Sequence, residues 1–168
     1  MKEENKVKFS EMFGIANSYK TSSELLNTAN LLITTFAANQ GVKRPNGTDP
    51  LKFDEVIISR IILYAINIEI LFKALILHDS DNEEKRDHDW DKLFAKLTAS
   101  RQNEIISQMP IEYQRNFTQL LNNNKNTFIR WRYCYEYPGL TADYVFVKAL
   151  ADTLGTIVLQ LHGAIAQA

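Results

Sequence analysis

The sequence predicts an all-α fold, an up-and-down bundle of four long helices with additional short helices. Apolar residues recur at helical spacing along most of the chain, and no alternating strand pattern competes with them. Glycine and proline are scarce and cluster in "NQGVKRPNGTDP" at 39–50 and "YPGL" at 137–140, which mark loops. The 168 residues and 45% hydrophobic content suit a single domain, with 1–20 as an N-terminal extension and 21–166 as the bundle.

The first two long helices lie on either side of the first loop. The first should begin near Thr21–Ser23 and end near Asn39, whereas the residues before it allow either a short helix or a packed turn. Asp49-Pro50 can supply the N-cap and first residue of the second helix, and Asp54-Glu55 offers a later start. This helix then runs to about His78, where a cation suits the helix dipole.

The second helix contains the most apolar segment, "VIISRIILYAINIEILFKALIL", residues 56–77. A surface helix carries one apolar stripe, but this helix is apolar nearly all round, which predicts the centre of the bundle. Arg60, Asn67, Glu69 and Lys73 interrupt the segment too often for a membrane span. Glu69 and Lys73 also form a favourable i,i+4 pair.

The second half of the chain predicts short helices followed by two long ones. An acidic linker at 79–89 leads to a short helix in "DHDWDKLFAKL", capped by Asp87 or Asp89, and another short helix covers "SRQNEIISQM". Pro110 then begins a long helix that ends near Tyr137, ahead of the Pro-Gly break.

The last long helix is predicted from its cap and its apolar seam. Thr141 can cap it, and Asp143 is favourably placed in the first turn. Apolar residues then recur at helical spacing: Val147, Leu150, Leu154, Ile157, Leu161 and Ile165.

Composition narrows the function classes. The chain has 19 basic and 20 acidic side chains, so a general polyanion-binding surface is not expected and nucleic-acid contact requires a local patch. A lone Cys134 excludes an internal disulfide and fits a reducing compartment. The N-terminal "MKEENKVKFSEMFG" lacks the apolar core of a signal peptide, so we expect a cytoplasmic protein without a membrane partner.

The stretch "FIRWRYCYEYPG", residues 128–139, concentrates aromatic and charged side chains before the Pro-Gly break. On a helical wheel Arg132 lies beside the apolar face, whereas Arg130 points toward solvent. An arginine at a core edge needs a carboxylate, because losing hydration without a partner is costly. Glu136, four residues later, and Glu69 on the second helix are the candidate partners.

Two interpretations of this stretch stay open. In one, the aromatic rings and the Arg132–Glu136 pair simply close the end of the bundle. In the other, the same residues form a polar pocket that binds or acts on a ligand, to which the Tyr133 and Tyr135 hydroxyls contribute.

The overlapping stretch "NNNKNTFIRWR", residues 122–132, contains Lys125, Arg130 and Arg132 and no acid. Basic and aromatic side chains together can contact RNA through phosphates and stacked bases. Alternatively, the asparagines and Lys125 only solvate the outer face of the helix.

Three features taken in order resemble the HEPN superfamily (higher eukaryotes and prokaryotes nucleotide-binding domain). They are the apolar helix with "NIEILFKALILHDS" at 67–80, the entry to a short helix in "HDWDKLFAKL" at 88–97, and an arginine motif late in a long helix that is followed by a break and one more helix. The resemblance covers roughly residues 20–166 in order and spacing.

The resemblance implies a helical bundle that dimerises. It further implies either a metal-independent ribonuclease of a toxin or antiviral system or a relative without catalysis that binds RNA, a nucleotide or a partner protein. Partners compatible with the family are an antitoxin or a nucleotidyltransferase. No cofactor is implied, and no histidine or cysteine spacing in the chain is typical of a metal site.

Active members of the family carry an arginine followed, four to six residues later, by a histidine, and this sequence departs from that pattern. Tyr135, Glu136 and Tyr137 occupy the matching positions after Arg130, and tyrosine, with a pKa of about 10, is a poor base near neutrality. His88 either caps its turn or approaches Arg132 and replaces the missing histidine.

Three hypotheses follow. The first is a HEPN-like protein with a degenerate active site, in which Arg132, Glu136 and Tyr135, with His88, are the candidate catalytic or ligand-binding residues. The second is an active ribonuclease with a diverged motif. The third is a structural dimerisation module that uses the last helix.

Overall fold

The computed structural model describes residues 1–39, 54–82, 84, 86–127 and 143–167, and it describes side chains except those of 30–39 and 54–58. These residues form helices and connecting turns, without a strand, so the predicted all-α class is confirmed for this part of the chain. The helices are α1 (Glu3–Asn39), α2 (Asp54–Ser80), α3 (Trp90–Ala95), α4 (Ala99–Gln108), α5 (Ile111–Gln114), α6 (Phe117–Asn124) and α7 (Tyr144–Ala166).

Helix α1 begins at Glu3, so the predicted start near Thr21 is wrong. Residues 3–20, which we expected as an extension, are the first half of this helix. Glu3 and Glu4 in the first turn suit the positive end of the helix dipole. Phe9 and Ala16 are fully buried in the core, and this burial stabilises a segment whose own sequence pattern is weakly amphipathic.

Helices α1 and α2 run antiparallel, and side-chain hydrogen bonds tie them together. The buried Asn67 amide donates to the carbonyl of Ala16 at 2.7 Å. Further along, the Arg60 guanidinium donates to the Asn27 side-chain oxygen at 2.7 Å. Contacts therefore move toward the start of α2 as they move toward the end of α1, as expected for an antiparallel pair of helices.

Hydrogen bonds connect the residue that follows α2 to the start of α1. Asp81 adopts a left-handed backbone conformation with φ 56°, and its N–H donates to the carbonyl of Leu77 at 3.0 Å, as in an αL helix end. The Asp81 carboxylate accepts hydrogen bonds from the Asn5 amide and the Lys2 N–H, both at 3.1 Å. The predicted helix end near His78 therefore agrees with the structure to within two residues.

The central position of α2 is confirmed, because α2 packs against α1, α3 and α7. Apolar side chains on most sides of it are buried, namely Ile61, Tyr64, Ala65, Ile68, Leu71, Phe72, Ala74, Leu75, Ile76 and Leu77. The α7 seam is confirmed as well: Val147, Leu150, Leu154 and Ile157 are buried, and Leu161 and Ile165 are partly buried against the core.

The long helix predicted from Pro110 to Tyr137 is not continuous in the residues that the structure describes. It is broken after α5, at Arg115 and Asn116, and again after α6 ends at Asn124. Asparagine favours such breaks because its side chain competes for backbone hydrogen bonds. Asn124 illustrates this, since its oxygen accepts from the backbone N–H of Asp143 at 3.2 Å.

Aromatic rings connect the short helices to the long ones. The ring of Phe94 on α3 lies 6.3 Å from that of Phe72 on α2 and 5.2 Å from that of Phe117 on α6. Phe117 in turn contacts Phe146 of α7 at 6.0 Å, and Tyr113 of α5 contacts Phe146 at 5.7 Å. Tilted and edge-on rings at these spacings are favourable, so five helices share one aromatic cluster.

The acidic linker before α3 folds back onto that helix. Lys96 binds the carboxylates of Glu84 and Asp87. The Lys96 ammonium and the backbone N–H groups of Arg86 and Asp87 lower the pKa of Glu84 to about 2. The linker is thus held by specific ion pairs, rather than being only solvated.

Two helices are long and apolar enough to cross a membrane by length and composition alone, within Ser59–Ser80 and Tyr144–Ala166. In the first, 67% of the apolar window is buried inside the protein, and in the second 44% is buried. The central helix of a bundle passes the same test because it is apolar on most sides. The cytoplasmic location stays a prediction.

Candidate functional site

The structure describes two of the predicted ligand-binding residues, Glu69 and Lys125, and also His88. Glu69 lies on α2, Lys125 ends α6, and His88 precedes α3. The other predicted site residues lie outside the described residues, and their roles stay predictions: Arg130, Arg132, Tyr133, Tyr135 and Glu136.

Glu69 and His88 are brought together across 19 residues of sequence. The Glu69 Oε1 atom lies 2.8 Å from His88 Nδ1 and 2.8 Å from the ammonium of Lys73. The predicted Glu69–Lys73 pair is therefore confirmed. The Glu69 and Lys73 side chains are 12% and 13% exposed, whereas that of His88 is 50% exposed. A buried carboxylate thus orients a ring that reaches solvent.

Packing of α3 fixes the position of His88. Trp90, two residues later, is fully buried, and its backbone N–H donates to the carbonyl of Lys125 at 3.3 Å. Asp89 occupies the N-cap position, but its carboxylate binds Lys92 at 2.8 Å rather than the helix N–H groups. His88 therefore does not cap the helix, and its imidazole is held by Glu69 instead.

The chemistry of this pair follows from the roles of its atoms. A carboxylate only accepts hydrogen bonds, so His88 donates from Nδ1 and a neutral ring carries its lone pair on Nε2. The His88 side chain is half exposed, so its ring is accessible to a ligand. A histidine oriented in this way by a carboxylate is suited to general base catalysis.

Lys125 lies beside the same helix entry. Its ammonium binds the Asn122 side-chain oxygen at 2.9 Å and the Asp91 carboxylate at 3.4 Å. Through the backbone contact to Trp90 and this ion pair, the end of α6 is fastened to the turn that carries His88. The predicted residues Lys125, Glu69 and His88 therefore belong to one region of the protein.

A second polar cluster was not predicted from the sequence. Arg101 of α4 makes two hydrogen bonds to the Asp79 carboxylate, at 2.9 and 3.2 Å, and also binds Glu104. His78 Nδ1 lies 2.9 Å from the same carboxylate. The only local signal was the i,i+3 spacing of Arg101 and Glu104, since Asp79 lies 22 residues away in sequence.

His162, expected at the surface or at an interface, pairs with α1. Its Nε2 lies 2.9 Å from the Ser10 hydroxyl, and its ring lies 5.0 Å from that of Phe13. A serine–histidine distance of this size suits nucleophile activation, but Ser10 lies within α1, where backbone N–H groups are used by the helix. An oxyanion hole is thus not provided by the local backbone.

Neither Glu69 nor His88 lines the clefts found among the described residues between α4, α5 and α7, between α1, α2 and α7, or along the first turns of α1. A cleft of about 410 Å³ lies between α4, α5 and α7, and its lining includes Tyr113, Val145 and Lys148. Among the described residues, no group of three or more histidine, cysteine, aspartate or glutamate side chains is arranged to hold a metal ion. The half-exposed His88 ring therefore meets solvent outside these clefts.

Comparisons of this chain with protein-family models, with curated proteins and with solved structures gave no match, so the resemblance to the HEPN superfamily stays a prediction.

Proposed function

We propose that this chain is a HEPN-like helical protein that binds RNA on the face around Glu69, His88 and Lys125. The observation that carries the proposal is the 2.8 Å contact between His88 Nδ1 and Glu69 Oε1, which holds a half-exposed imidazole in one orientation. An imidazole can stack on an unpaired base and bond to a 2′-hydroxyl or phosphate. Both uses require the ring to be presented in this way.

The charges on this face support contact with a few nucleotides rather than with a long stretch of RNA. Lys92 and Lys125 lie on this face, but Asp89 and Asp91 compensate for part of their charge. Arg130 and Arg132 follow Lys125 by five and seven residues and add cations to the same part of the sequence. This pattern fits a protein that contacts a few nucleotides of single-stranded RNA.

Cleavage of RNA without a metal is the second candidate function, and the same geometry favours it. His88 Nε2 would take the proton of a 2′-hydroxyl, whose oxygen attacks the adjacent phosphorus to form a 2′,3′-cyclic phosphate. The bond from phosphorus to the 5′-oxygen breaks, and that oxygen takes a proton from water and leaves as a 5′-hydroxyl. Glu69 would stabilise the imidazolium that forms. Arg132 or Arg130 would compensate for the charge on the phosphate.

The test of binding is fluorescence anisotropy with a labelled single-stranded RNA. We expect His88→Ala to weaken binding about tenfold, an effect of the size of one stacked or charge-assisted contact. His162→Ala is the matched control, because His162 also bonds to one side chain but lies at the α1–α7 contact. Equal affinities of the wild-type protein and His88→Ala would contradict the proposal.

The test of cleavage uses the same RNA in the presence of EDTA, with products separated by gel electrophoresis. A ribonuclease predicts cleavage that His88→Ala abolishes and Glu69→Gln slows. RNA that stays intact with the wild-type protein, while binding depends on His88, leaves binding as the function and removes cleavage.

We further infer a four-helix HEPN-like bundle that forms a homodimer in a bacterial defence or toxin–antitoxin setting, with an antitoxin or nucleotidyltransferase as partner. The exposed apolar side chains of Val145 and Leu159 on α7, 62% and 56% exposed, support dimerisation through this helix. A purely structural dimerisation module is the alternative, and it predicts a dimer with no affinity for RNA.

A further inference from the structure

Four buried polar side-chain atoms on α1, α2 and α7 have no hydrogen-bond partner among the residues that the structure describes. They are Ser23 Oγ, Arg60 Nε, Tyr64 Oη and Tyr144 Oη. The Ser23 and Tyr64 side chains are fully buried, and Arg60 is 6% exposed. Because burying a polar atom without a partner costs free energy, such atoms are rare in proteins, and several in one place point to a binding role.

The side chains of Arg60, Tyr64 and Tyr144 form one cluster. The guanidinium carbon of Arg60 lies 5.0 Å from the centre of the Tyr144 ring, and the rings of Tyr64 and Tyr144 are 6.1 Å apart, edge to face. Arg60 also donates from Nη1 to the Asn27 side chain at 2.7 Å. Ser23 precedes Asn27 by one turn on the same face of α1, so it lies at the level of Arg60 and Tyr64.

The charge of the cluster favours an anion. The described side-chain partners of Arg60 are an amide and an aromatic ring, neither of which neutralises a guanidinium. A buried cation whose described side-chain partners carry no negative charge binds an anion strongly, because water competes little for that charge.

The tyrosine hydroxyls are available as donors. Burial raises the pKa of Tyr144, so its hydroxyl stays protonated across the neutral range. The Tyr64 hydroxyl is close enough to that of Tyr144 to help raise its pKa, but neither hydroxyl makes a hydrogen bond of ordinary length to a described residue. Each can therefore turn its proton toward a third group.

We propose that Arg60, Tyr64, Tyr144 and Ser23 form a binding site for a phosphate group. Hydroxyl and guanidinium donors on three helices can bond to separate oxygens, and a phosphate group has more acceptor oxygens than a carboxylate. Glu69 follows Arg60 by nine residues, half a turn away around α2, so this site is separate from the Glu69–His88 pair and does not depend on the function proposed for it.

The test is isothermal titration of the wild-type protein with inorganic phosphate, with chloride at the same ionic strength as the control for screening. Phosphate is expected to bind, and Tyr64→Phe and Tyr144→Phe are each expected to weaken it about tenfold. These variants keep the ring and remove a hydroxyl that has no partner, so the free protein should retain its melting temperature. Arg60→Met is expected to abolish binding, whereas Arg86→Met, at an exposed position, is the matched control.

Two further titrations identify the source of the phosphate group. Binding of adenosine monophosphate that is lost in Tyr144→Phe would assign the site to a phosphate carried by a larger ligand, and binding of inorganic phosphate alone would assign it to the free ion. Acetate that binds as tightly as phosphate would overturn the proposal, as would no heat with either phosphate ligand. His88→Ala should leave phosphate binding unchanged, which separates this result from the outcome of the RNA experiments.

Discussion

The ion pair between Asp79 and Arg101 should contribute strongly to stability, because it is mostly buried and has two hydrogen bonds. The Asp79 and Arg101 side chains are 9% and 12% exposed, and their atoms meet at 2.9 and 3.2 Å. Removing one member of a buried pair costs about 3–5 kcal/mol because the other charge is left without its partner. In Arg101→Met, Asp79 still contacts His78, and in Asp79→Asn, Arg101 still binds Glu104. Because neither remaining charge loses all its partners, we expect each substitution to lower the unfolding free energy by about 3 kcal/mol, the lower end of that range.

Urea unfolding followed by circular dichroism measures this free energy. A loss of about 3 kcal/mol in a chain of this size corresponds to a decrease of about 6–12 °C in melting temperature. Arg115→Met is the control, since Arg115 is exposed and surface substitutions change stability by about 0.5 kcal/mol or less. Losses below about 1 kcal/mol for both Asp79→Asn and Arg101→Met would refute the inference that the pair stabilises the fold.

The same pair predicts a pH dependence. Burial alone would raise the pKa of Asp79, but the hydrogen bonds from His78 and Arg101 and the charge of Arg101 outweigh it, so this pKa lies below its ordinary value. A lowered folded-state pKa gives stability that is present above the unfolded pKa of about 3.9 and is lost as the pH falls through the folded value. The difference in unfolding free energy between the wild-type protein and Asp79→Asn should therefore shrink below about pH 4. A constant difference across that range would contradict the assignment.

Other substitutions test packing, the helices and assembly. Gly155→Ala should raise the unfolding free energy by about 0.5–1 kcal/mol, because a Cβ there meets nothing within 4 Å and alanine favours the interior of α7; a loss in urea unfolding would show that the space is needed. Leu75→Ala, at a fully buried position of α2, should cost about 2–5 kcal/mol in the same assay, and a cost near zero would mean that α2 is not central. Asn124→Ala removes the bond to the N–H of Asp143 and should cost about 1–3 kcal/mol in urea unfolding, and a cost below about 0.5 kcal/mol would contradict this role of Asn124. Leu159→Glu should convert the proposed homodimer into a monomer in light scattering, and a dimeric mass that stays unchanged would exclude this face of α7 as the interface.

The sequence predicts the helices in which buried residues recur at helical spacing. The apolar surround of α2 and the seam of α7 follow from residue spacing, because each helix must bury those faces. The Glu69–Lys73 pair is likewise a local consequence of i,i+4 spacing and was found at 2.8 Å.

The start of α1 and the break between α5 and α6 depend on tertiary contacts instead. The first turns of α1 are stabilised by the burial of Phe9 and Ala16, and this burial requires α2 to be in place. The break at Arg115 and Asn116 lies between Tyr113 and Phe117, both of which pack on Phe146. Neither contact can be predicted from the residue pattern of a single helix.

The candidate site was predicted in composition but not in geometry. His88 and Glu69 were both named from the sequence, but their contact requires the acidic linker to fold back through Lys96. The cluster around Arg60 was missed for a similar reason. Arg60 and Tyr144 are far apart in sequence, and only the packing of α7 against α2 brings a tyrosine ring over the guanidinium.

Asn124 has a consequence for how this protein can change during evolution. Its carbonyl accepts from the hydroxyl of Thr127 at 2.6 Å, and its side chain accepts from the backbone of Asp143, so one asparagine anchors the chain just before residue 128 and just after residue 142. The Asn124 side chain also donates to the carbonyl of Leu120 at 2.9 Å. An aspartate could replace the accepting oxygen but could not donate, so divergence of the chain should retain asparagine at this position.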